Sequence, residues 1–458
     1  MTRTSRFTTA LLGALTLAGC HALDVADLNN PGLESLESTP TPVALNTAAT
    51  GLLVGLRAGI AEPNGYITLL GAMGREGFNL NTNSDPRYVA EMFLGPLDPG
   101  SGAFGANIWA ARYANIRNTT IVLHATENVV GMTDAQKQGL RGFAKTIQAL
   151  ELLRVIGTRD ANGAVIDVDR PATGAPGAIA TRAETYTRIA ALLDEALTSL
   201  QGAGGQFSFA LGEGFTGLDT PAQFAKFNRA IRARAAVYNN DWSAALTALG
   251  LSFLDTGAPL TLGAYHVYST GSGDATNNIL QGTQLIRANP LLISSAQAGD
   301  LRVSNKLAGT ETGTGSSGTS TTISSDQEFT IYPTNASPVP IIRNEELILL
   351  RAEANLGLGN ITQALVDINF IRNSAGLGPY GGATTAPAVL NELLYNKRYS
   401  LLWEGGHSWL DYRHYNKLTD LPRQTANGKF FSKMPFPTNE CLARNPQPTS
   451  GCTPESGF

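Results

Sequence analysis

A helical pattern that occurs twice constrains the fold of this 458-residue chain more than any other feature. The stretch RAEANLGLGNITQAL, residues 351–365, aligns without a gap on RARAAVYNNDWSAAL, residues 232–246. Each copy has two alanines twelve positions apart, where two helices would cross closely: Ala233 and Ala245, Ala352 and Ala364. Asp241 and Asn360 stand at the N-cap of the second helix in their copies. Each copy therefore predicts a helical hairpin.

These hairpins resemble the tetratricopeptide repeat, whose copies stack because none can bury its own apolar face. The two copies are 119 positions apart in the chain, so long excursions must interrupt the repeats. We therefore predict a mainly α-helical domain built on such repeats, with loop excursions that form a ligand-binding face. Chance similarity between two alanine-rich helices is the alternative.

Two further helices have recognisable starts. Thr133 with Gln136 and Thr181 with Glu184 form predicted capping boxes. Behind each capping box, apolar residues recur with the period of one helix face, as at Leu140, Phe143, Ala144 and Ile147. Both helices must pack against neighbours.

The predicted excursions, residues 61–108 and 250–345, are rich in glycine, asparagine, proline and aromatic residues. Within the second, residues 307–327 contain no aromatic side chain and little that could be buried, which predicts a mobile surface loop. Hydrophobic residues make up 43% of the chain, enough for a substantial core. The net charge of −4 and the absence of a lysine/arginine cluster make nucleic acid an unsuitable partner.

The first nineteen residues have the character of an export signal, with two arginines before a short apolar run. The sequence LAGC that ends at Cys20 resembles the lipobox of bacterial lipoproteins. That resemblance implies removal of residues 1–19, lipid attachment at Cys20 and a mature chain over 20–458 that is tethered to a membrane without spanning it. An ordinary secretion signal with an incidental cysteine is the alternative.

Two cysteines remain near the C-terminus. Cys441 and Cys452 are eleven positions apart, and in an exported protein such a pair favours a disulfide. A metal site is the alternative, but no histidine lies near either cysteine.

Five segments, in order, resemble the SusD/RagB family of surface lipoproteins that bind nutrients beside an outer-membrane transporter. The clearest is residues 341–377, and the others are GFAKTIQALELLRVIG, FAKFNRAIRARAAVYNNDWSAAL, NKRYSLLWEGGHSWLDYRHY and KMPFPTNECLARNPQPTSGC. The resemblance implies an outer-membrane lipoprotein that binds an oligosaccharide or another nutrient. It also implies a TonB-dependent, SusC-like transporter as partner, and no cofactor.

Residues suited to catalysis are scarce. Glu404 and Asp411 could act as an acid/base pair, but two glycines separate them and tryptophans adjoin them, so we expect both carboxylates to pair with Arg398 or Arg413. The five histidines lack metal-ligand spacing, and the chain has no nucleophile elbow. These observations favour a binding protein without a metal over an enzyme.

Carbohydrate binding needs aromatic faces and short polar side chains, and the excursions contain both. The predicted stacking residues are Tyr265, Tyr268 and Trp109, and the predicted hydrogen-bonding residues are Asn81, Arg87 and His266. In an extended segment, Tyr265 would point away from His266 and Tyr268. Trp109 could instead be a core residue at the start of a helix.

Two other function classes compete with nutrient binding. A surface scaffold could hold a peptide or protein segment in the groove of its helical repeats. An exported glycosidase is less compatible with the sequence, because no dedicated catalytic pattern is present.

Overall fold

The computed structural model describes residues 33–80, 87–100, 106–171, 173–280, 285–316 and 321–458. The described α-helices are α1 Leu33–Ser38, α2 Pro42–Arg57, α3 Tyr66–Met73, α4 Arg87–Leu94, α5 Ala106–Asn128, α6 Asp134–Arg159, α7 Arg182–Gln201, α8 Pro221–Tyr238, α9 Trp242–Gly250, α10 Leu291–Ser294, α11 Leu301–Lys306, α12 Asn344–Gly357, α13 Ile361–Ser374, α14 Ala386–Ser400, α15 His407–His414 and α16 Thr438–Leu442. The described strands are β1 Gly77–Asn79, β2 Ala164–Val165, β3 Ile179–Ala180, β4 Gly263–His266, β5 Ile286–Ala288, β6 Leu307–Ser316, β7 Thr322–Phe329 and β8 Val339–Arg343. Among these helices, none combines the length and the apolar character that crossing a membrane requires.

Both predicted helical hairpins are present, as α8–α9 and α12–α13, and the mainly α-helical fold is confirmed. The four alanines of the repeated pattern have no exposed surface, as close helix crossing requires. At the start of α9, Asp241 accepts a hydrogen bond from the backbone N–H of Ala244 at 3.3 Å. Asn360 occupies the same position before α13 but makes no such bond, and its amide donates to the Asn355 side chain at 3.4 Å instead. Asn360 therefore stands at the predicted N-cap position, without a side-chain bond to the helix backbone.

The two hairpins, distant in sequence, stack directly. Trp242 at the start of α9 lies against Gly357 at the end of α12, where a Cβ added to this glycine would be 2.4 Å from the indole ring. Only glycine leaves room for the ring at this point. The excursion between the hairpins therefore leaves the repeat stack and returns to it.

Replacing Gly357 by alanine should lower the free energy of unfolding by about 1–3 kcal/mol, because the added methyl group overpacks the contact with Trp242. Chemical denaturation of the purified variant measures this loss. Gly250→Ala is the matched control, since nothing lies within 4 Å of the methyl group that it would add at the end of α9. Equal stability of the two variants would contradict the stacked arrangement.

The capping boxes predicted before α6 and α7 are confirmed, with Thr133 and Thr181 bonded to the backbone of Gln136 and Glu184. The apolar stripe of α6 is fully buried. In the C-terminal segment, Cys441 and Cys452 are joined by a disulfide.

The strands of the described residues form four two-stranded antiparallel sheets, β1–β5, β2–β3, β4–β8 and β6–β7. The last of these corrects the prediction of a mobile loop for residues 307–316 and 322–327; residues 317–320 of that prediction lie outside the described residues. Ile323 and Phe329 turn inward from β7, and the Ser325 hydroxyl donates to the Ala288 carbonyl oxygen at 2.6 Å. Small residues on β6, such as Gly315, let the hairpin lie close against neighbouring segments. The composition that suggested a loop thus serves close packing.

Candidate ligand-binding site

A surface groove runs beside β4 and contains two of the predicted binding residues. It lies between α2, the segment 210–215 and β4, and its volume is about 230 Å³. We call it the β4 groove and define it by Leu53, Val54, Arg57, Leu211, Phe215, Tyr265, His266 and Asp274. One part of its lining is apolar, and the other carries an ion pair.

The ion pair joins Arg57, the last residue of α2, to Asp274. Arg57 also donates to the Val267 carbonyl oxygen at 2.7 Å. Hydrogen bonds from Arg57 and from the Ala275 backbone hold the pKa of Asp274 below its usual range. The Asp274 side chain remains 36% exposed, so this pair can exchange hydrogen bonds with a ligand's hydroxyl groups.

Tyr265 is the predicted stacking residue that the structure places at the groove with part of its surface exposed. The alternation predicted for this segment is confirmed, because His266 and Tyr268 turn inward while Tyr265 does not. The Tyr265 hydroxyl donates to the carbonyl oxygen of Thr261, and this bond fixes the orientation of the Tyr265 ring.

His266 is not at the rim, as the sequence suggested, but is buried at the floor of the groove. Its Nε2 lies 2.7 Å from the guanidinium of Arg154, which can only donate, so this nitrogen is the acceptor. Burial, together with the charges of Arg154 and Arg112, holds the pKa of His266 well below its ordinary value. The imidazole is therefore neutral and already bonded.

Tyr268 and Trp109 also differ from the prediction of exposed stacking residues, since both are buried. The Tyr268 ring lies below the Arg57 guanidinium, 5.9 Å from ring centroid to Cζ, and so supports the ion pair. Trp109 packs against Tyr113 and Phe436, with ring centroids 4.4 and 5.3 Å away. The alternative considered for Trp109, a core position, is the one observed.

The other two predicted residues cannot be placed at the groove. Asn81 lies outside the described residues, and of Arg87 only its position at the start of α4 is described. Described residues nearby converge: the Leu80 N–H donates to the Leu285 carbonyl oxygen at 2.8 Å, and Gly315 lies against Leu80 and Val89. The excursions of residues 61–108 and 250–345 therefore meet on one side of the molecule.

The carboxylates considered for catalysis are engaged in ion pairs, but with different partners from those expected. Glu404 accepts two hydrogen bonds from Arg343, at 2.8 and 2.9 Å, and Asp411 lies 2.6 Å from Lys397. The predicted pairing with Arg398 or Arg413 is therefore wrong for both carboxylates. Within the described ranges, no group of three or more histidine, cysteine or acidic residues is arranged to hold a metal.

The groove also contains residues that the sequence did not point to, above all Arg57, Asp274 and Phe215. Asp274 follows the aromatic pair in the same excursion, so its polar surroundings were a weak signal. Arg57 and Phe215 stand in unrelated segments, and only the tertiary fold brings them to β4.

Comparison with known proteins agrees with this architecture. Residues 304–445 match the model of the SusD family. No curated protein sequence matches the chain significantly. A SusD superfamily protein from Bacteroides vulgatus ATCC 8482 has 16% identity and a TM-score of 0.66, over 91% of this chain and 99% of its own.

Two further solved structures have the same fold. B. fragilis NanU is 13% identical, with a TM-score of 0.62 over 87% of this chain and 94% of its own. A laminarin-binding SusD-like protein is 14% identical, with a TM-score of 0.60 over 88% of this chain and 97% of its own. Residues 304–445 therefore resemble the SusD family in sequence, and the chain as a whole has the fold of these SusD superfamily structures.

Proposed function

We propose that this protein is a surface lipoprotein that binds an oligosaccharide and delivers it to a TonB-dependent, SusC-like transporter in the outer membrane. The observation that carries the binding proposal is the β4 groove, where the partly exposed Tyr265 stands beside the ion pair of Arg57 and Asp274. The match of residues 304–445 to the SusD family model supports it, as does the shared fold with a structure described as laminarin-binding. The mechanism is equilibrium binding, in which no covalent bond is made or broken.

The groove offers a sugar ring two kinds of contact. The C–H face of a pyranose can lie on the Tyr265 ring, beside the apolar lining from Leu211 and Phe215. Its hydroxyl groups can hydrogen-bond to Arg57, which only donates, and to Asp274, which accepts. A volume of about 230 Å³ suits one sugar unit of a longer chain, the remainder of which would extend along the surface.

Tyr265→Ala should weaken glycan binding by about 1–2 kcal/mol, roughly 5- to 30-fold, since it removes the stacking surface. A glycan array identifies a binding oligosaccharide, and calorimetric titration then measures the loss. Tyr380→Ala is the matched control, because this partly buried tyrosine also bonds a backbone carbonyl, that of Ala383, but lies outside the groove. Equal affinities of both variants and the wild type, all folded, would refute the groove as the site.

The membrane attachment that we propose rests on Cys20, which lies outside the described residues. Processing at this residue would leave residues 20–458 as one SusD-like domain on a lipid-anchored tether. Acyl chains at one terminus would hold the protein at the membrane while leaving the β4 groove free for ligand.

Cys20→Ser should move the exported protein from the membrane fraction to the soluble fraction almost completely, because several acyl chains are needed for stable anchoring. Fractionation after a salt wash, followed by immunoblotting, measures the distribution. Cys452→Ser controls for the loss of a cysteine as such and should remain with the membrane. A Cys20→Ser protein that stays in the washed membranes would disprove the anchor.

A peptide-binding scaffold is the second candidate. A hollow of about 430 Å³ on the outer side of α13, lined by Ile361, Leu365 and Val366, offers an apolar surface, and Val366 is 54% exposed. The variant Val366→Asp would abolish peptide capture but leave glycan binding unchanged. Peptide binding lost in this variant, with no glycan bound by the wild type, would favour the scaffold.

A further inference from the structure

A small interior chamber lies between five helices, next to the β4 groove, with which it shares the lining residue Ile341. Its volume is about 60 Å³, and its polar lining includes Tyr66 of α3, Arg154 of α6, Tyr186 of α7, Arg234 of α8, and His407 and Arg413 of α15. A surface pit of about 200 Å³ adjoins it. The chamber and the pit share four lining residues, Tyr186, Tyr238, Leu410 and Arg413. These four side chains therefore stand between the pit and the chamber.

The acidic residues at the chamber are already paired with other cations. Glu404 is bonded to Arg343. Glu346 of α12 lies 2.6 Å from Arg234 and neutralises the charge of that arginine. Each of these two buried carboxylates therefore already neutralises one arginine, and neither compensates the charge of another chamber cation.

The positive charges of two other chamber arginines, Arg154 and Arg413, are not neutralised by a carboxylate in this way. Among the described residues, the only carboxylate within 4 Å of Arg154 is Glu151, at 3.7 Å, and Glu151 bonds Arg112 at 2.8 Å instead. Among the described residues, the only carboxylate within 4 Å of Arg413 is that of Asp160, at 3.9 Å, and Asp160 accepts a bond from Arg182 at 2.9 Å instead.

Both guanidinium groups are poorly solvated, with side chains that are 11% exposed. Burial lowers the pKa of Arg154 to about 10, an effect that the nearby Arg112 and Arg234 reinforce against the pull of Glu151. An incompletely compensated buried cation favours the binding of an anion beside it.

The chamber also has hydrogen-bond donors that no described residue satisfies. The hydroxyl groups of Tyr66 and Tyr186 have no hydrogen-bond partner in the described part of the chain. Nδ1 of His407, whose residue is only 7% exposed, likewise has none there. Hydroxyl and imidazole N–H groups donate readily to anionic oxygens.

We propose that the chamber binds one compact oxyanion of the size of sulfate or phosphate, held between Arg154 and Arg413, with hydrogen bonds from Tyr66, Tyr186 and His407. The size of the chamber limits the ligand. One water molecule needs about 10–15 Å³ of cavity volume. The chamber, with about 60 Å³, therefore accommodates a tetrahedral oxyanion but no sugar ring. The bound anion neutralises the excess positive charge where α6, α8 and α15 meet.

Selenate serves as the probe, because its selenium atom gives an anomalous signal. Crystals of the protein soaked in sodium selenate should show one anomalous peak between Arg154 and Arg413. Calorimetric titration with selenate, at an ionic strength matched with sodium chloride, measures the affinity. Arg413→Gln should weaken selenate binding at least tenfold, whereas Arg188→Gln, at an arginine whose side chain is 41% exposed, should not change it.

A second variant protects the test against misfolding of Arg413→Gln. In Gly157→Ala the added methyl group would lie 3.8 Å from the Tyr66 hydroxyl and 3.7 Å from Leu410, ordinary contact distances, so the protein should fold with a smaller chamber. Selenate should bind this variant at least threefold more weakly, and glycan binding in the β4 groove should not change. A chamber that contains only water in the soaked crystal, or selenate affinities equal in both variants and the wild type, would overturn the proposal.

Discussion

Lys397→Met should lower the free energy of unfolding by about 3–5 kcal/mol, the usual cost of leaving buried charges without their partner. The Lys397 ammonium group lies 2.7 Å from Glu353 and 2.6 Å from Asp411, and all three side chains are at most 2% exposed. Without the lysine, the side-chain groups of the described residues that would remain bonded to these carboxylates are the hydroxyl groups of Tyr415 and Tyr238.

Urea-induced unfolding at neutral pH measures this effect. Lys417→Met is the matched control, because Lys417 pairs with Asp420 at 2.8 Å on the surface and should contribute less than about 1 kcal/mol. Adding Glu353→Gln and Asp411→Asn to Lys397→Met should restore part of the lost stability, since no unpaired charge then stays buried. A single Lys397→Met variant as stable as its surface control would show that the buried network contributes nothing to stability.

The helical body of the protein could be predicted from sequence because its signals are local. Alanines twelve positions apart mark a close crossing within one hairpin, and a capping box fixes the start of a helix within four residues. The stacking of α9 on α12 was implied only by the repeat itself, since a lone hairpin cannot bury its apolar face. The contact of Trp242 with Gly357 could not be predicted from either copy of the repeated helical pattern, because it joins one copy to the other.

Ion pairing shows why local reasoning failed elsewhere. The arginines nearest in sequence, Arg398 and Arg413, were the expected partners of Glu404 and Asp411. The observed partner of Glu404 is Arg343, 61 positions away at the end of β8. Asp411 pairs with Lys397, which is on the neighbouring helix α14. A buried charge requires the partner that the packing of elements brings to it, and sequence distance does not decide which one that is.

The candidate site was predictable to the extent that it depends on one strand. Alternation along β4 correctly separated Tyr265 from His266 and Tyr268. Which side of the strand would face solvent depended on its pairing with β8 and on the helices behind it. Trp109 was equally ambiguous, because a tryptophan at the start of a helix can face either neighbour or solvent, and here α16 covers it through Glu440.

Glu76→Gln should stabilise the protein by about 3 kcal/mol above pH 8 and leave it nearly unchanged near pH 5. Glu76 has no exposed surface, and its carboxyl group accepts hydrogen bonds from the Trp403 N–H at 3.0 Å and the Ser408 hydroxyl at 2.7 Å. No cation lies within ion-pair distance of it among the described residues. Burial therefore raises its pKa from 4.5 to about 7, although the two hydrogen bonds oppose the shift.

The sign of the effect follows from where the proton binds more tightly. Because the folded protein holds this proton up to about pH 7 and the unfolded chain releases it near 4.5, Glu76 favours folding below pH 4.5 and loses that contribution as the pH rises through 7. Glutamine resembles the protonated acid at every pH, so the variant avoids the loss. The difference between a pKa of about 7 in the folded protein and 4.5 in the unfolded chain corresponds to about 3 kcal/mol.

Unfolding in urea at pH 5 and at pH 8.5 tests this for the wild type and the variant. Other groups also titrate in this range, including Asp411, whose pKa burial raises to about 7, so the informative quantity is the difference between the two proteins at each pH. Glu195→Gln, at a carboxylate with a 44% exposed side chain that pairs with Lys145, is the control and should give the same difference at both pH values. A Glu76→Gln variant that is less stable than the wild type at pH 8.5 would mean that the ionised carboxylate is the form that the fold prefers.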